Sequence, residues 1–249
     1  GLVGSEMCIR DRASGNKKLA KGDCVKLFLS DETIQKFSEA FSGYTNVSLD
    51  ILYEDEDIIL INKPVGMLSQ KAARSDESLV EHLISYLIQS HALTEEDLRT
   101  FRPSICNRLD RNTSGIVAAG KSMAGLQSLS QMFHDRIIGK YYLCLTAGII
   151  EKPSRVEGWL FKDERTNKVE ILFQERPGSA RIITEYRPIK SHDGVTLLEV
   201  HLITGKTHQI RAHLASVGHP LIGDHKYGAS QINREYCLLY TSPSPRDRS

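Results

Sequence analysis

Asn107-Arg108-Leu109-Asp110-Arg111-Asn112-Thr113-Ser114-Gly115 sets one carboxylate between two guanidinium groups, directly before the apolar run Ile116 to Ala119. Neighbouring cations favour the charged form of a carboxylate, and guanidinium groups are what an RNA backbone attracts. An Asp–Arg pair at ~4 Å and an effective dielectric of ~20 gains roughly 4 kcal/mol before desolvation. The arrangement suits an anionic catalytic group flanked by cations that hold a polyanion. It equally suits a surface turn with an ion pair of little worth. Spacing alone does not separate the two.

A second concentration of chemistry is Leu202-Ile203-Thr204-Gly205-Lys206-Thr207-His208-Gln209-Ile210-Arg211-Ala212-His213-Leu214. It reads as a helix over residues 207–217, with Thr207 as N-cap, Gly218 as stop and Pro220 beyond. Ile210, Leu214 and Val217 would make its apolar face, with Arg211 beside that face and His208 one turn earlier. A long cation in that position often only snorkels to water. Lys206 and His208, near the helix start, could meet phosphates together with the first N–H groups. Five histidines between 201 and 225 invite a metal reading. His208 and His213 diverge at a spacing of five, however, and no native cysteine joins them. Polar or RNA-facing histidines, with no metal, are the expectation.

Gly115-Ile116-Val117-Ala118-Ala119-Gly120-Lys121-Ser122 satisfies the phosphate-loop pattern GxxxxGK(S/T). A phosphate cradle needs an apolar strand before the first glycine and a loop after it. Here the order is reversed: the preceding residues are polar and the four between the glycines are strand-like. Nucleotide hydrolysis is kept only as an alternative function, and an ATP-binding assay tests it.

The elements that must position these groups fit a soluble enzyme. The chain has 249 residues, 40% hydrophobic and 25% charged, enough for one sizeable core and a small appendage. No apolar run approaches the ~18 residues of a membrane span, and the expected location is the cytoplasm. Net charge is only +1, so any RNA contact must come from local patches. Cys24, Cys106 and Cys144 are scattered and make no CxxC, which points to buried thiols in a reducing compartment.

The ends stand apart. Residues 1–11 read one DNA string that resembles a sequencing-library adapter, and residues 237–247 read its reverse complement. Residues 1–12 and 237–249 are therefore expected to be adapter-derived and outside fold reasoning, the gene continuing beyond both. Residues 13–29 carry a Lys-rich patch and a strand-like Cys24 to Leu29, and residues 30–49 form a polar linker with some helical character. From residue 50 to 236 a hairpin is expected at 51–53 and 58–61, helices at 78–89 and 121–134, and a buried strand at 116–119. Further strands are expected at 141–146, 157–161, 168–173, 180–188 and 196–202. Short strands with few helices make an α+β domain around a mostly antiparallel sheet.

RLDRNTSG, residues 108–115, resembles the signature of the RluA-type pseudouridine synthases. The block at 202–214 is similar to the family's other signature, and Lys140-Tyr141-Tyr142 matches its Lys-x-Tyr. Lys63-Pro64-Val65-Gly66 precedes them in the same order, so the likeness runs over roughly residues 50–228. Asn107, where many relatives have His, fits the C type among the synthases of large ribosomal RNA. The resemblance implies isomerisation of uridine to pseudouridine in RNA, 23S ribosomal RNA or a large-subunit assembly intermediate above all. It implies no cofactor and a monomer. Asp110 would be the nucleophile, Arg211 its partner, and Tyr142 the group that closes on uracil. Arg108 would fill the space of an extruded base, Arg111 would hold backbone, and Lys206 and His208 would bind substrate. Residues 13–29 resemble the tail of an S4-type RNA-binding domain. A non-catalytic RNA-binding module is the remaining alternative.

Overall fold

The computed structural model describes residues 48–73, 76–163, 168–228 and 233, with the backbone alone of 5–7, 12–13 and 25–27. The chain divides into two compact units, residues 1–129 and 130–249.

In the first unit, β1 (Ser5–Met7), β2 (Arg12–Ala13) and β3 (Val25–Leu27) form a small antiparallel sheet in the order β2-β1-β3. β3 falls within the strand expected over 24–29. Cys24, nearly all of the 30–49 linker and the 237–249 end lie outside the described residues. The main sheet is β4 (Ile51–Glu54), β5 (Ile58–Lys63), β6 (Ser104–Ile105) and β7 (Gly115–Gly120), in the order β4-β5-β7-β6. The β4–β5 hairpin forms because Asp55 accepts hydrogen bonds from the backbone of Asp57 (2.9 Å) and Ile58 (2.7 Å), as short acidic side chains do in tight turns. β5 alternates, so that Ile59, Ile61 and Lys63 are all fully buried. Helix α1 (Leu79–Gln89) follows, with Leu79, Leu83, Ile84 and Leu87 buried at helical spacing and Ser78 as N-cap. Tyr86 donates to Glu54 at 2.6 Å and ties the helix to β4.

The phosphate-loop match does not survive folding. Its Gly115–Gly120 is strand β7, hydrogen-bonded along its length to β5. Lys121 is held by Glu54 (2.6 Å) and the Asp55 carbonyl (2.7 Å), and the Ser122 hydroxyl is bound to Asp57. The short motif describes a strand end locked to an acidic turn. Helix α2 (Met123–His134) starts there, and a Cβ at Gly125 would run into the Asp57 carbonyl.

The second unit is a five-stranded antiparallel sheet in the order β10-β9-β11-β12-β8. Its strands are β8 (Tyr141–Ala147), β9 (Ser154–Asp163), β10 (Lys168–Leu172), β11 (Ala180–His192) and β12 (Val195–Leu202). Helix α3 (Gln209–Ser216) packs on one face of it. Leu214 joins Ile150, Tyr186, Leu198 and Val200, and Ala212 joins Leu160, Val169 and Ile182. The α+β architecture of antiparallel sheets is therefore as expected.

Local expectations differ at several points. Ile116 is 57% exposed, so the buried part of the expected strand is Val117 to Ala119, covered on both faces. Val217 lies past the end of α3 and is exposed, leaving Ile210 and Leu214 as the packed face. Phe173 lies just after β10 and is 95% exposed. Cys106 and Cys144 are only part-buried by whole residue, although burial pushes the Cys144 thiol up to about 12. No helix among the described residues is long and apolar enough to cross a membrane.

Of the polar and RNA-facing readings of these histidines, His213 fits only the first. It is 1% exposed, its Nδ1 lies 2.9 Å from the Thr184 hydroxyl, and burial pulls its pKa from 6.5 down to about 4. The folded state thus binds fewer protons than the unfolded one, so this group favours folding above pH 6.5 and loses that contribution as pH falls toward 4. Between pH 7.5 and pH 5 the loss is about 2 kcal/mol. Urea titrations of wild type and His213→Asn at both pH values should differ in pH slope by about that amount. Parallel slopes would refute the assignment.

Candidate active site

In the first unit, Arg108, Asp110 and Arg111 share one turn between β6 and β7. The turn closes when the Thr113 amide donates to the Asp110 carbonyl at 3.0 Å. Leu109 anchors it: its side chain is buried, and the Ser69 hydroxyl donates to its carbonyl (2.7 Å) and accepts from its amide (3.0 Å). Gly115, at φ +130°, lets the chain leave the turn for β7 in a conformation side chains disfavour. Asn107 replaces missing ladder partners, donating to the Ile116 carbonyl at 3.1 Å and accepting from the Ala118 amide at 2.8 Å.

A second clamp comes from the segment after β5. The Gly66 amide donates to the Arg111 carbonyl at 2.8 Å, and Arg111 Nε returns a bond to the Gly66 carbonyl at 3.0 Å. Lys63, fully buried, directs its ammonium at the carbonyls of Pro64 (2.9 Å), Met67 (2.9 Å) and Arg111 (3.4 Å). Burial lowers the Lys63 pKa, against the opposing pull of the Asp110 charge. One lysine thus braces both strands of the loop and lies within electrostatic reach of the candidate nucleophile. Arg108 is exposed and Asp110 half-buried. The result is a carboxylate on a rigid turn with cations around it.

In the second unit, the remaining candidates cluster about α3 and β8. Tyr142, on β8 opposite Val200, is half-buried and packs on the core beneath α3. The helix begins later than sequence signals suggest. His208 is its N-cap and stands in the left-handed region at φ +54°, displacing Thr207. Gln209 supplies the stop that a cap hydroxyl would have given. Its carbonyl oxygen accepts from the Thr204 hydroxyl (2.9 Å) and the Lys206 amide (3.1 Å), while its Nε2 donates to the Ile183 carbonyl (3.1 Å) and the Thr184 hydroxyl (3.0 Å). Gln209 and His213 therefore pin α3 to β11. Lys206 is exposed at the helix entrance, and His208 Nδ1 lies 2.9 Å from the Tyr227 hydroxyl.

Arg211 is fixed rather than snorkelling. Its Nε and Nη2 donate to the two oxygens of Asp224 at 2.7 Å and 2.8 Å, and its guanidinium carbon stands 5.2 Å from the Tyr227 ring centroid. Asp224 and Tyr227 were missed by sequence reasoning. The one signal for them was an acidic residue and an aromatic in the turn-rich stretch after Gly218. Lys63 had a plainer signal: the alternation Ile59, Ile61 puts residue 63 on the same buried face. No group of residues suited to hold a metal ion occurs among the described residues.

A family model described as RNA pseudouridylate synthase matches residues 57–216, which include every candidate expected from sequence but not Asp224 or Tyr227. The chain is 30% identical over 208 residues to ribosomal large subunit pseudouridine synthase D of Borreliella burgdorferi, covering 81% of this chain and 63% of the relative. It is 31% identical to the protein of the same name in Zymomonas mobilis, covering 75% of this chain and 58% of the relative. The chain thus spans about three-fifths of the length of these relatives. Among solved structures, human RNA pseudouridylate synthase domain containing 1 shares the fold, with a TM-score of 0.59 at 24% identity over 76% of this chain and 73% of that one.

Proposed function

Because the chain belongs to the RNA pseudouridylate synthase family, we propose that it converts selected uridines in RNA to pseudouridine with Asp110 as nucleophile. The observation that carries this reading is the clamped turn: Ser69, Gly66 and Lys63 fix the backbone on both sides of one carboxylate. Carboxylates are established covalent nucleophiles, and catalysis needs such a group held to well within an ångström.

The reaction moves one base on one ribose. Asp110 attacks at ribose C1′ or uracil C6; in either case the bond from C1′ to N1 breaks while the base stays in the pocket. The ring turns, C5 bonds to C1′, the proton on C5 departs and N1 ends protonated. Atoms and electrons balance within the substrate, so no cofactor takes part. Arg211 orients the Asp110 carboxylate through its guanidinium. Tyr142 closes on the uracil and assists proton movement at C5. Arg111 and Lys206 hold phosphates, and His208 supports the same strand of substrate.

A uridine inside folded RNA is unreactive until extruded, at a cost of a few kcal/mol. Arg108, exposed at the rim of the turn, fills the vacated stack with its planar guanidinium while meeting phosphate. The substrate class is large-subunit ribosomal RNA, the class named for the bacterial relatives, and the Lys-rich stretch of residues 13–29 acts as the end of an S4-type RNA-binding domain. The protein works as a cytoplasmic monomer.

Purified protein given ribosomal transcripts carrying tritium at uridine C5 should release the label to water as pseudouridine forms. Protein that binds the RNA and never releases tritium would be a non-catalytic module, and the proposal would fall. In the same assay Arg108→Ala should lose on the order of 10- to 100-fold in kcat/KM on folded RNA, the equivalent of a few kcal/mol of extrusion cost. Short unstructured oligonucleotides should lose far less. Equal losses on both would remove the extrusion role.

A further inference from the structure

We infer that Asp224 is the positioning residue of Arg211, the group that aims its guanidinium, and that the Asp224–Arg211 fork with the Tyr227 ring works as one preassembled part of the active site. The inference rests on the reading of Arg211 as the partner of Asp110.

Asp224 is built to hold a direction. Its side chain is only 4% exposed, and its bonds to Arg211 and to backbone amides are of the strong, charge-assisted kind. Oδ2 accepts from Arg211 Nε at 2.7 Å; Oδ1 accepts from Arg211 Nη2 at 2.8 Å and from the amides of Lys226 (2.8 Å) and Tyr227 (3.2 Å). The two amides fix the carboxylate in its own turn, so the carboxylate can fix the arginine. The turn is itself closed by Gly228, whose amide donates to the Asp224 carbonyl at 2.9 Å. Asn233 closes it a second time, accepting from the Gly223 amide (2.9 Å) and donating to that same carbonyl (3.0 Å).

Tyr227 adds the second constraint. Its hydroxyl accepts from the Val169 amide of β10 at 3.1 Å and meets His208 Nδ1 at 2.9 Å, so the ring beside Arg211 is tied to the sheet and to the start of α3. An arginine left alone carries about 2 kcal/mol of rotamer entropy. Here that freedom is removed before any substrate arrives. Nε and one position on Nη2 are given to Asp224, so the plane of the guanidinium is set by that carboxylate. The fork therefore sets the direction of the guanidinium within its own unit.

The pairing also sets the kind of interaction. The Asp224 carboxylate balances the Arg211 charge, so what Arg211 offers a second anion is directed hydrogen bonding rather than an uncompensated cation. Loss of Asp224 should therefore disturb turnover more than RNA binding.

The test is a double-mutant cycle read with a spectroscopic probe. Asp224→Asn keeps the shape of the side chain but cannot accept at both atoms. Its kcat should fall about 10- to 100-fold, the equivalent of one or two charge-assisted bonds, with RNA affinity within about twofold of wild type. In an Arg211→Lys background, which has already lost the fork, the same substitution should cost less than about threefold, because coupled groups are non-additive. Nitrogen-15 NMR should show a slowly exchanging Arg211 Nε–H in wild type and in Asp110→Asn, and its loss in Asp224→Asn. If Asp224→Asn proves too unstable to assay, Asp224→Glu serves instead, its longer arm displacing the fork with the same kinetic signature. Independent, multiplying losses, or an Arg211 Nε–H that stays protected without Asp224, would overturn the inference. Absence of any pseudouridine from wild type would instead refute the proposed activity, and the Nε–H comparison would still decide for or against Asp224 as the group that holds Arg211.

Discussion

Replacing Asp110 with Asn is expected to lower pseudouridine formation by on the order of 10⁴ or more, about 5.5 kcal/mol of barrier, while leaving RNA binding within a fewfold of wild type. The amide is nearly isosteric with the carboxylate but cannot donate an electron pair to carbon at a useful rate. The fold should not register the change. The turn is closed by the Asp110 backbone carbonyl, and its anchors are the buried Leu109 and the hydroxyl of Ser69. Steady-state kinetics, RNA binding and a thermal melt on one preparation make the comparison. Near-normal turnover in Asp110→Asn would end the nucleophile assignment. A large drop in melting temperature would instead show that the carboxylate serves the fold.

The second large effect should come from Lys63, where stability and activity are joined. Lys63→Met keeps a stem of similar shape and removes the ammonium, so the carbonyls of Pro64, Met67 and Arg111 lose their shared donor. Leaving such buried acceptors unmet should cost about 3 kcal/mol of stability. That corresponds to a fall of roughly 10 °C in Tm for a chain of this size. Activity should fall more than stability predicts, measured well below the melt, because the Arg111 carbonyl belongs to the turn that presents Asp110. Loss of a cation in electrostatic contact with Asp110 acts in the same direction. Urea unfolding and tritium release, each compared with wild type at one temperature below the melt, separate the two parts. A variant within about 1 kcal/mol of wild-type stability would show that the carbonyls had found other partners.

These two residues do different jobs at one loop, and the second unit repeats the division. Arg211 and Tyr142 are the groups assigned to the chemistry, while Gln209 and His213 pin their helix to β11 through Thr184 and the Ile183 carbonyl. A signature such as Thr204 to Leu214 is therefore a mixture. Some of its residues face the reaction, and others make the helix sit in one place on the sheet.

Residue order and type by themselves determined most strands of residues 50–236 (β6 excepted), the three helices among the described residues and the antiparallel character, because apolar periodicity at two and at 3.6 residues is a local property. They also supplied the candidate groups, Asp110 foremost, since a carboxylate between arginines in a turn-prone segment is visible without a fold. The same local view misjudged the cap of α3, where a Gln209 side chain bonded to β11 permits a left-handed His208 that no cap preference would choose. It also left His213 as one of several polar or RNA-facing histidines, without showing that the sheet beneath α3 encloses it. Whether Lys63 braces carbonyls from two segments, and whether Arg211 is gripped by Asp224, depended on atoms remote in sequence. Hydrogen-bond geometry and burial are set only when the segments meet, and for that reason the tertiary structure alone decided which side chains hold the site and which are held in it.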